Sequence, residues 1–443
     1  MLHRIITLAV LLPHMLFAQH KITGTFSPSG DYTMVLLYKV TPTISEYINN
    51  AKVNEKGVFE FQLDSTATKG MYRIVYAVPQ EDYNFDVIYS GKEDIELSFN
   101  SETGVKFLKS SENRMLESYT NSMSMITGSI GKFYREDGEN AKALKAIFKT
   151  QRDAQSSFED LSKETLAHPF ILNNKRYIPN TFLDEKSYAD SLRVHYFDHI
   201  DFNSTALQSS GFLEEKMLNY IFGVTQESLT EAENYKINID TFYNEVKNIS
   251  PQIKRILLVD VWEQMRDLGF DNVANYISDT YLLAIAKSLN DTALVEELTL
   301  FKNTSIGQKA PDFSFDVLKN NQPITTTLSN FNSADTYILV FWSSVCSHCL
   351  KEMPKLYKFT RPKTHVKVLA IGLESEPYPW KDVIFSYPNF IHIYGEGKWD
   401  NAIGNKYAVK ATPTYFILNK DKEIIRKPSN FEALKAFVED STQ

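Results

Sequence analysis

The pattern of apolar and polar positions changes twice along the chain. From about residue 20 to 108 it alternates with a period of two. Phe59, Phe61 and Leu63 share one face after the turn signal Asn54-Glu55-Lys56-Gly57, and Ile95, Leu97 and Phe99 alternate with Glu96 and Ser98. That period belongs to half-buried strands. Met34 to Val40 and Met71 to Val78 are further β-forming runs. Short strands separated by turns predict a small all-β domain over 20–108, a sandwich or barrel. From 109 to 304 the spacing becomes helical, as in Ala141-Leu144-Ile147-Phe148 and Ile256-Leu257-Val261-Met265. Ser250-Pro251 reads as a helix start, because the proline's missing N–H costs nothing in a first turn. An all-α middle region of six or more helices follows from this spacing. From 305 to 443 strands return. Tyr337 to Trp342 is an apolar run ending at Ser343-Ser344, and a helical segment begins at Cys346. Val366 to Ile371 is a second buried strand; Tyr415 to Leu418 and Glu423 to Ile425 flank a turn at 419–422, and Asn430 to Val438 is amphipathic. Strand, helix, strand, then hairpin and helix predicts a three-layer α/β domain over 305–443.

The first residues change the picture of where this chain works. His3 and Arg4 precede an apolar run from Ile5 to Leu12, continued at Met15 to Phe17 after Pro13-His14, and Ala18 offers a small residue before Gln19. This reads as an export signal over residues 1–18. It is too short, and too interrupted by Pro13, to span a bilayer. No cysteine follows it to carry a lipid anchor. The mature protein is expected to be soluble and periplasmic, in a compartment where disulfides persist. A net charge of −8 over 443 residues gives no footprint for nucleic acid or anionic lipid, so membrane contact is expected only through a partner. Neither a phosphate-cradling glycine motif nor a His-Glu-x-x-His pattern is present.

The chain has two cysteines, Cys346 and Cys349, in the run Cys346-Ser347-His348-Cys349. Two cysteines placed at random would fall three apart in about one chain in 200. They sit where a strand runs into a helix. A helix N-terminus presents unpaired N–H groups and a partial positive charge, which lowers the pKa of a thiol there. Cys349, one turn further in, is positioned to attack a mixed disulfide on Cys346. A zinc site would need four ligands, and no second cysteine pair exists. A structural bridge would close a loop too small to stabilise much. Thiol–disulfide exchange, with no cofactor beyond the cysteine pair and no metal, is the reading that remains.

With these residues in view, 305–443 resembles the TlpA/ResA-like thioredoxin-fold oxidoreductases. Gly307-Gln308-Lys309-Ala310-Pro311-Asp312-Phe313 resembles that family's entry segment. Phe341-Trp342 ahead of the cysteines, Pro354 in the following helix and Ala411-Thr412-Pro413-Thr414 match its other landmarks. The resemblance implies a mixed central sheet, a cis Pro413 facing the cysteines, a Thr412 backbone that pairs with extended substrate, and Trp342 in the substrate-binding set. It also implies that Glu352 is the acid three residues after the second cysteine. On a helix that spacing puts Glu352 on the face of Cys349, where a carboxyl can exchange a proton with the resolving thiol. The expected partners are exported thiol or disulfide proteins and an electron donor, such as a membrane thiol transporter. Three positions depart from the pattern. Val340 stands where thioredoxin has a buried Asp, Val345 where Trp is frequent, and Ser347-His348 replaces the Gly-Pro or Glu-Pro of familiar reductases. Ser347 and His348 are therefore the candidate residues for redox tuning. His348 either stabilises the thiolate and raises the potential or lies in solvent with little effect. Glu352 argues for a reductase and His348 for a stronger oxidant.

Two other functions compete. A peroxiredoxin-like enzyme would want a Pro and a hydroxyl residue upstream of its reactive cysteine; Ser343 could supply the hydroxyl, but Leu339 holds the Pro position. A binding or scaffold protein with a regulatory redox pair is the other, since about two-thirds of the chain lies outside the thioredoxin-like part. His195 and His199, four apart, could face a metal, but Tyr196, Phe197, Ile200 and Phe202 around them favour packing. Trp399 either edges the active face or anchors a helix start.

Overall fold

A computed structural model describes residues 20–440 apart from 81, 137, 320 and 321. The export segment, 1–18, lies outside the described residues. The chain divides into two units, 1–257 and 258–443.

In the first unit, alternating residues build strands β1 (His20–Ser27), β2 (Met34–Lys39), β3 (Glu46–Lys52), β4 (Val58–Leu63), β5 (Gly70–Val75), β6 (Asn84–Tyr89), β7 (Ile95–Asn100) and β8 (Gly104–Lys109). They form two four-stranded sheets, ordered β4-β1-β7-β8 and β3-β2-β5-β6. Ile22, Phe61 and Leu97 of the first sheet meet Val35, Leu37 and Ile74 of the second in one core. This is a sandwich, with each sheet covering the apolar face of the other. Gly57 turns the chain into β4 at φ 77°, and a Cβ there would lie 2.6 Å from the Phe26 carbonyl oxygen, so only glycine fits. Helices α1 (Ser111–Glu136), α2 (Ala141–Ser162), α3 (His168–Asn173), α4 (Glu185–Val194), α5 (Thr205–Gln208), α6 (Phe212–Gly223) and α7 (Glu231–Val246) follow, and α8 (Pro251–Asp267) runs across the boundary between the units. Asn113 of α1 is joined to the sandwich by two 2.8 Å bonds, accepting from Ile88 N–H and donating to its carbonyl. The start of α7 is fixed by a capping box between Thr230 and Glu233.

In the second unit α9 (Asp271–Ile277), a π-helical turn (Ser278–Leu282), α10 (Leu283–Ser288) and α11 (Thr292–Asn303) pack with the C-terminal fold. Buried Asp271 makes a 2.6 Å ion pair with Lys427 and accepts from Ile306 N–H at 3.0 Å. A hairpin of β9 (Ser314–Lys319) and β10 (Gln322–Thr327) precedes β11 (Thr336–Trp342), α12 (Ser347–Thr360) and β12 (Val366–Glu374). Then come α13 (Pro377–Ile384), β13 (Ile391–Glu396), α14 (Ala402–Lys406), β14 (Thr414–Asn419), β15 (Ile424–Arg426) and α15 (Phe431–Asp440). The five-stranded sheet is ordered β13-β12-β11-β14-β15; β11, β12 and β13 run parallel, and β14 and β15 antiparallel to their neighbours. β11 is central and buried on both faces. Ile338, Val340 and Trp342 join the core with α12 and α15, while Tyr337, Leu339 and Phe341 join the opposite core with β9 and α14. Period two explains the split. Gly372 of β12 pairs with Trp342, and a Cβ there would lie 2.3 Å from Trp380 Nε1. None of the described helices is long and apolar enough to cross a membrane.

Candidate active site

β11 ends at Trp342 and delivers the chain through Ser343, Ser344 and Val345 to α12, whose N-cap is Cys346. A cap residue has free backbone N–H groups ahead of it, and the Cys346 sulfur takes one of them: it accepts from Cys349 N–H at 3.3 Å. As a thiol it donates to the Thr412 carbonyl at 3.4 Å. That bond sets the loop ahead of β14 against Cys346, and the Thr412–Pro413 peptide within it is cis. Both cysteines are free thiols.

The two thiols differ in kind. Cys346 is half-buried and Cys349 has no exposed surface. Partial burial alone would raise the Cys346 pKa. The bonds its sulfur receives, from the Cys349 side chain first and then from the backbone N–H groups of Cys349 and His348, outweigh burial and bring it below the ordinary thiol value. Burial pushes the Cys349 thiol up to about 12, and its bond to the Cys346 sulfur adds to the rise. One sulfur is thus a half-exposed nucleophile and the other a protonated reserve.

Glu352 projects from α12 one turn beyond Cys349 and is half-buried. Its Oε2 accepts from the Tyr415 hydroxyl at 2.7 Å and from Phe431 N–H at 3.2 Å. No hydrogen bond joins Glu352 to Cys349 among the described residues. Tyr415 bonds Glu352 and shares a core with Cys349. Its phenol is buried in the core that holds Cys349, and its pKa is raised by burial first, then by donation to Glu352 and by the charges of Glu352, Cys349 and Cys346. Tyr415 therefore stays a neutral donor in the neighbourhood of both thiols. It stands directly across from Val340 in the β11–β14 register. The strand position that holds an acid in thioredoxin is apolar here, and its cross-strand neighbour reaches an acid on the helix.

Comparison with known proteins bears on the C-terminal part of the chain. Residues 305–432 match the Redoxin family. Over 121 residues the chain is 29% identical to Sporulation thiol-disulfide oxidoreductase A of Bacillus subtilis, covering 25% of this chain and 70% of that protein. Residues 305–432 form a thioredoxin-like redoxin domain. Solved structures similar to part of the chain include a thioredoxin-like protein from Bacteroides caccae (19% identical, 60% of this chain and 96% of that chain, TM-score 0.33). Another is the thioredoxin domain of a thiol-disulfide oxidoreductase from Bacteroides vulgatus (18% identical, 31% of this chain and 99% of that chain, TM-score 0.28). The redoxin match and the oxidoreductase relative make this part of the chain a thioredoxin-like oxidoreductase.

Within the redoxin domain, the remaining expected residues sort by exposure. Trp342, expected to bind substrate, is fully buried and packs edge-on against Tyr387 at 6.4 Å. Its indole lies in the core that also holds Cys349 and shows no surface to a substrate in this structure. Ser347 and His348 are exposed, and only the backbone of His348 contributes to the Cys346 shift. Trp399 lies in a single 3₁₀ turn, Lys398–Asp400, with its indole about half exposed. His195 caps the end of α4, stacks on Tyr177 at 4.0 Å and pairs with Asp198 at 2.7 Å. Among the described residues no group of three or more His, Cys, Asp or Glu could hold a metal.

Two residues of the site escaped sequence reasoning. Tyr415 is one. The other is Glu374, at the end of β12, whose carboxylate is buried. It accepts from Ser344 N–H at 2.5 Å and from the Ser343 hydroxyl at 3.1 Å. The Ser343 carbonyl in turn accepts from Cys346 N–H at 3.1 Å. Glu374 thereby pins the loop that presents the nucleophile. A lone Glu closing an apolar run was its only trace in the sequence.

Proposed function

We propose that this protein is an exported thiol–disulfide oxidoreductase in which Cys346 attacks and Cys349 resolves. The observation that carries the reading is the asymmetry of the pair: one sulfur half-exposed with its pKa lowered, the other buried with its pKa pushed up to about 12. The Cys346 thiolate attacks one sulfur of a substrate disulfide, and the other sulfur leaves as a thiolate that takes a proton from solvent. Cys349 then loses its proton, attacks Cys346 Sγ and releases the second substrate thiol. The pair is left oxidised and the substrate reduced by two electrons. An external dithiol restores the pair, and the reverse sequence oxidises a dithiol substrate. Glu352, on α12 one turn beyond Cys349 and held by Tyr415, is the group assigned to accept the Cys349 proton. Val345 and Leu350 flank the pair as exposed apolar residues, giving a substrate chain something to bury. Thr412 and Pro413 border the nucleophile and suit backbone pairing with an extended segment.

Export rests on the sequence of residues 1–18, with a periplasmic protein substrate and a membrane thiol transporter as the electron donor. Ser343, the hydroxyl a peroxiredoxin would need, is buried and already committed to Glu374, so disulfide exchange is the reading retained. The test is trapping. Cys349→Ser should accumulate a mixed disulfide through Cys346, Cys346→Ser should accumulate none, and the wild type should turn over a model disulfide. A Cys349→Ser protein that traps nothing, beside a wild type inert toward disulfides, would end the proposal. The reduction potential of the pair then fixes the direction of electron flow.

A further inference from the structure

We propose that the helical part of the first unit carries a binding site for a small oxyanion, a carboxylate- or phosphate-bearing molecule, held between Arg176 and Lys216. A cleft of about 970 Å³ opens there between α1, the segment after α3, α4 and α6. Its size suits a small-molecule ligand. The protein as a whole is acidic, with a net charge of −8, yet the cleft walls gather Lys175, Arg176, Arg193 and Lys216 against two acids, Asp190 and Glu215.

Partner accounting isolates the pair. Arg193 is matched by Asp190 at 3.4 Å, and Lys175 by Glu159 at 3.4 Å. The Lys216 ammonium donates to the neutral Asn174 amide oxygen and lies 5.2 Å over the Phe212 ring. Neither Lys216 nor Arg176 has a carboxylate within ion-pair distance among the described residues. The two cations also feel each other. The Lys216 pKa is lowered by burial first; the Glu215 charge opposes the shift, and the Arg176 charge adds a smaller lowering. Arg176 is exposed on the rim of the cleft, and its charge is felt by Tyr119 and Tyr196. Two like charges converging on one cavity repel unless an anion lies between them. Arg offers a planar fork and Lys a point charge, the pairing that oxyanions accept most strongly. Asn219 and Thr120 on the same walls add neutral hydrogen-bonding groups. His195 enters this site as a wall, stacked on Tyr177 and bonded to Asp198.

The test is calorimetric titration of the full chain with sodium phosphate and with sodium succinate, against sodium chloride at equal ionic strength. The expected result is saturable binding of at least one oxyanion and none of chloride. Tighter phosphate binding identifies a phosphoryl ligand, and tighter succinate binding a carboxylate. Arg176→Gln and Lys216→Met should each weaken binding at least tenfold, whereas Lys175→Gln, whose charge is already matched, should change it less than threefold. Arg176 is exposed, so Arg176→Gln keeps the test alive even if Lys216→Met unfolds. Failure of both anions to exceed chloride, or full-strength binding by folded Arg176→Gln protein, would overturn the proposal.

Discussion

At the scale of single residues, the cysteine pair works by dividing labour between two environments. Cys346 accepts hydrogen bonds that favour its thiolate, while Cys349 is buried and stays protonated. The sign follows directly. Below the Cys346 pKa the nucleophile is a thiol and inert; above it the thiolate dominates, and because that pKa is lowered the transition comes earlier than for a free cysteine. Alkylation of reduced protein by iodoacetamide should therefore modify Cys346 with a midpoint below the ordinary thiol value of about 8.5. Cys349 should resist until the protein unfolds. Mass spectrometry of the modified site across pH checks both statements. Tyr415 belongs to the same scale. Tyr415→Phe removes a donor to a carboxylate, a bond worth about 1.5–3 kcal/mol. It should slow release of a peptide from its Cys346 mixed disulfide by about tenfold and move the pH profile of that step. Initial attack should keep its rate. A stopped-flow comparison of the two steps decides the matter.

At the scale of elements, what could be read from the sequence depends on whether a signal is local. β11 declared itself as an apolar run, and α12 by its position after Ser343-Ser344. The position of Glu352 one turn beyond Cys349 was legible because three residues along a helix share a face. Tyr415 was not, since its contact with Glu352 spans 63 positions and exists only once β14 pairs with β11 in one register. Glu374 is hidden in the same way, 30 positions from Ser344. β3 escaped because it is an edge strand with side chains nearly all exposed, so it shows no buried face to alternate. The unit from α13 to α14 was missed because its elements are short and are interrupted by Pro377, Pro379, Gly395 and Gly397. Glu374 gives a prediction of its own. Glu374→Ala would leave the Ser344 N–H and the Ser343 hydroxyl buried without an acceptor, and should destabilise the fold by about 2–4 kcal/mol. Urea unfolding should show a lower midpoint with an unchanged slope. Glu374→Gln, which keeps an acceptor, should lose less.

At the scale of the whole molecule, the redoxin domain does not end where its family match begins. Helices α9 to α11 belong to its unit, tied by Asp271 to Lys427 and to Ile306 N–H. Asp271 is buried, so breaking the pair strands a cation and a backbone donor. A fragment of residues 258–443 should accordingly melt at least about 4 °C above one of residues 305–443, as followed by circular dichroism. Equal melting temperatures would show that the helices add nothing to the domain's stability. The first unit, with its sandwich and its cationic cleft, has chemistry of its own to be tested separately from the thiols.

Complete burial of Cys349 has one more consequence. An oxidant arriving from solution meets a single sulfur of the pair. If peroxide converts the Cys346 thiolate to a sulfenic acid, releasing the second peroxide oxygen as water or alcohol, the thiol one helical turn away condenses with it and expels water. The product is the same disulfide that substrate turnover leaves behind, and the irreversible sulfinic and sulfonic stages are bypassed. A hidden resolving thiol thus protects its exposed neighbour, and any donor that recycles the pair repairs oxidative damage by the same route.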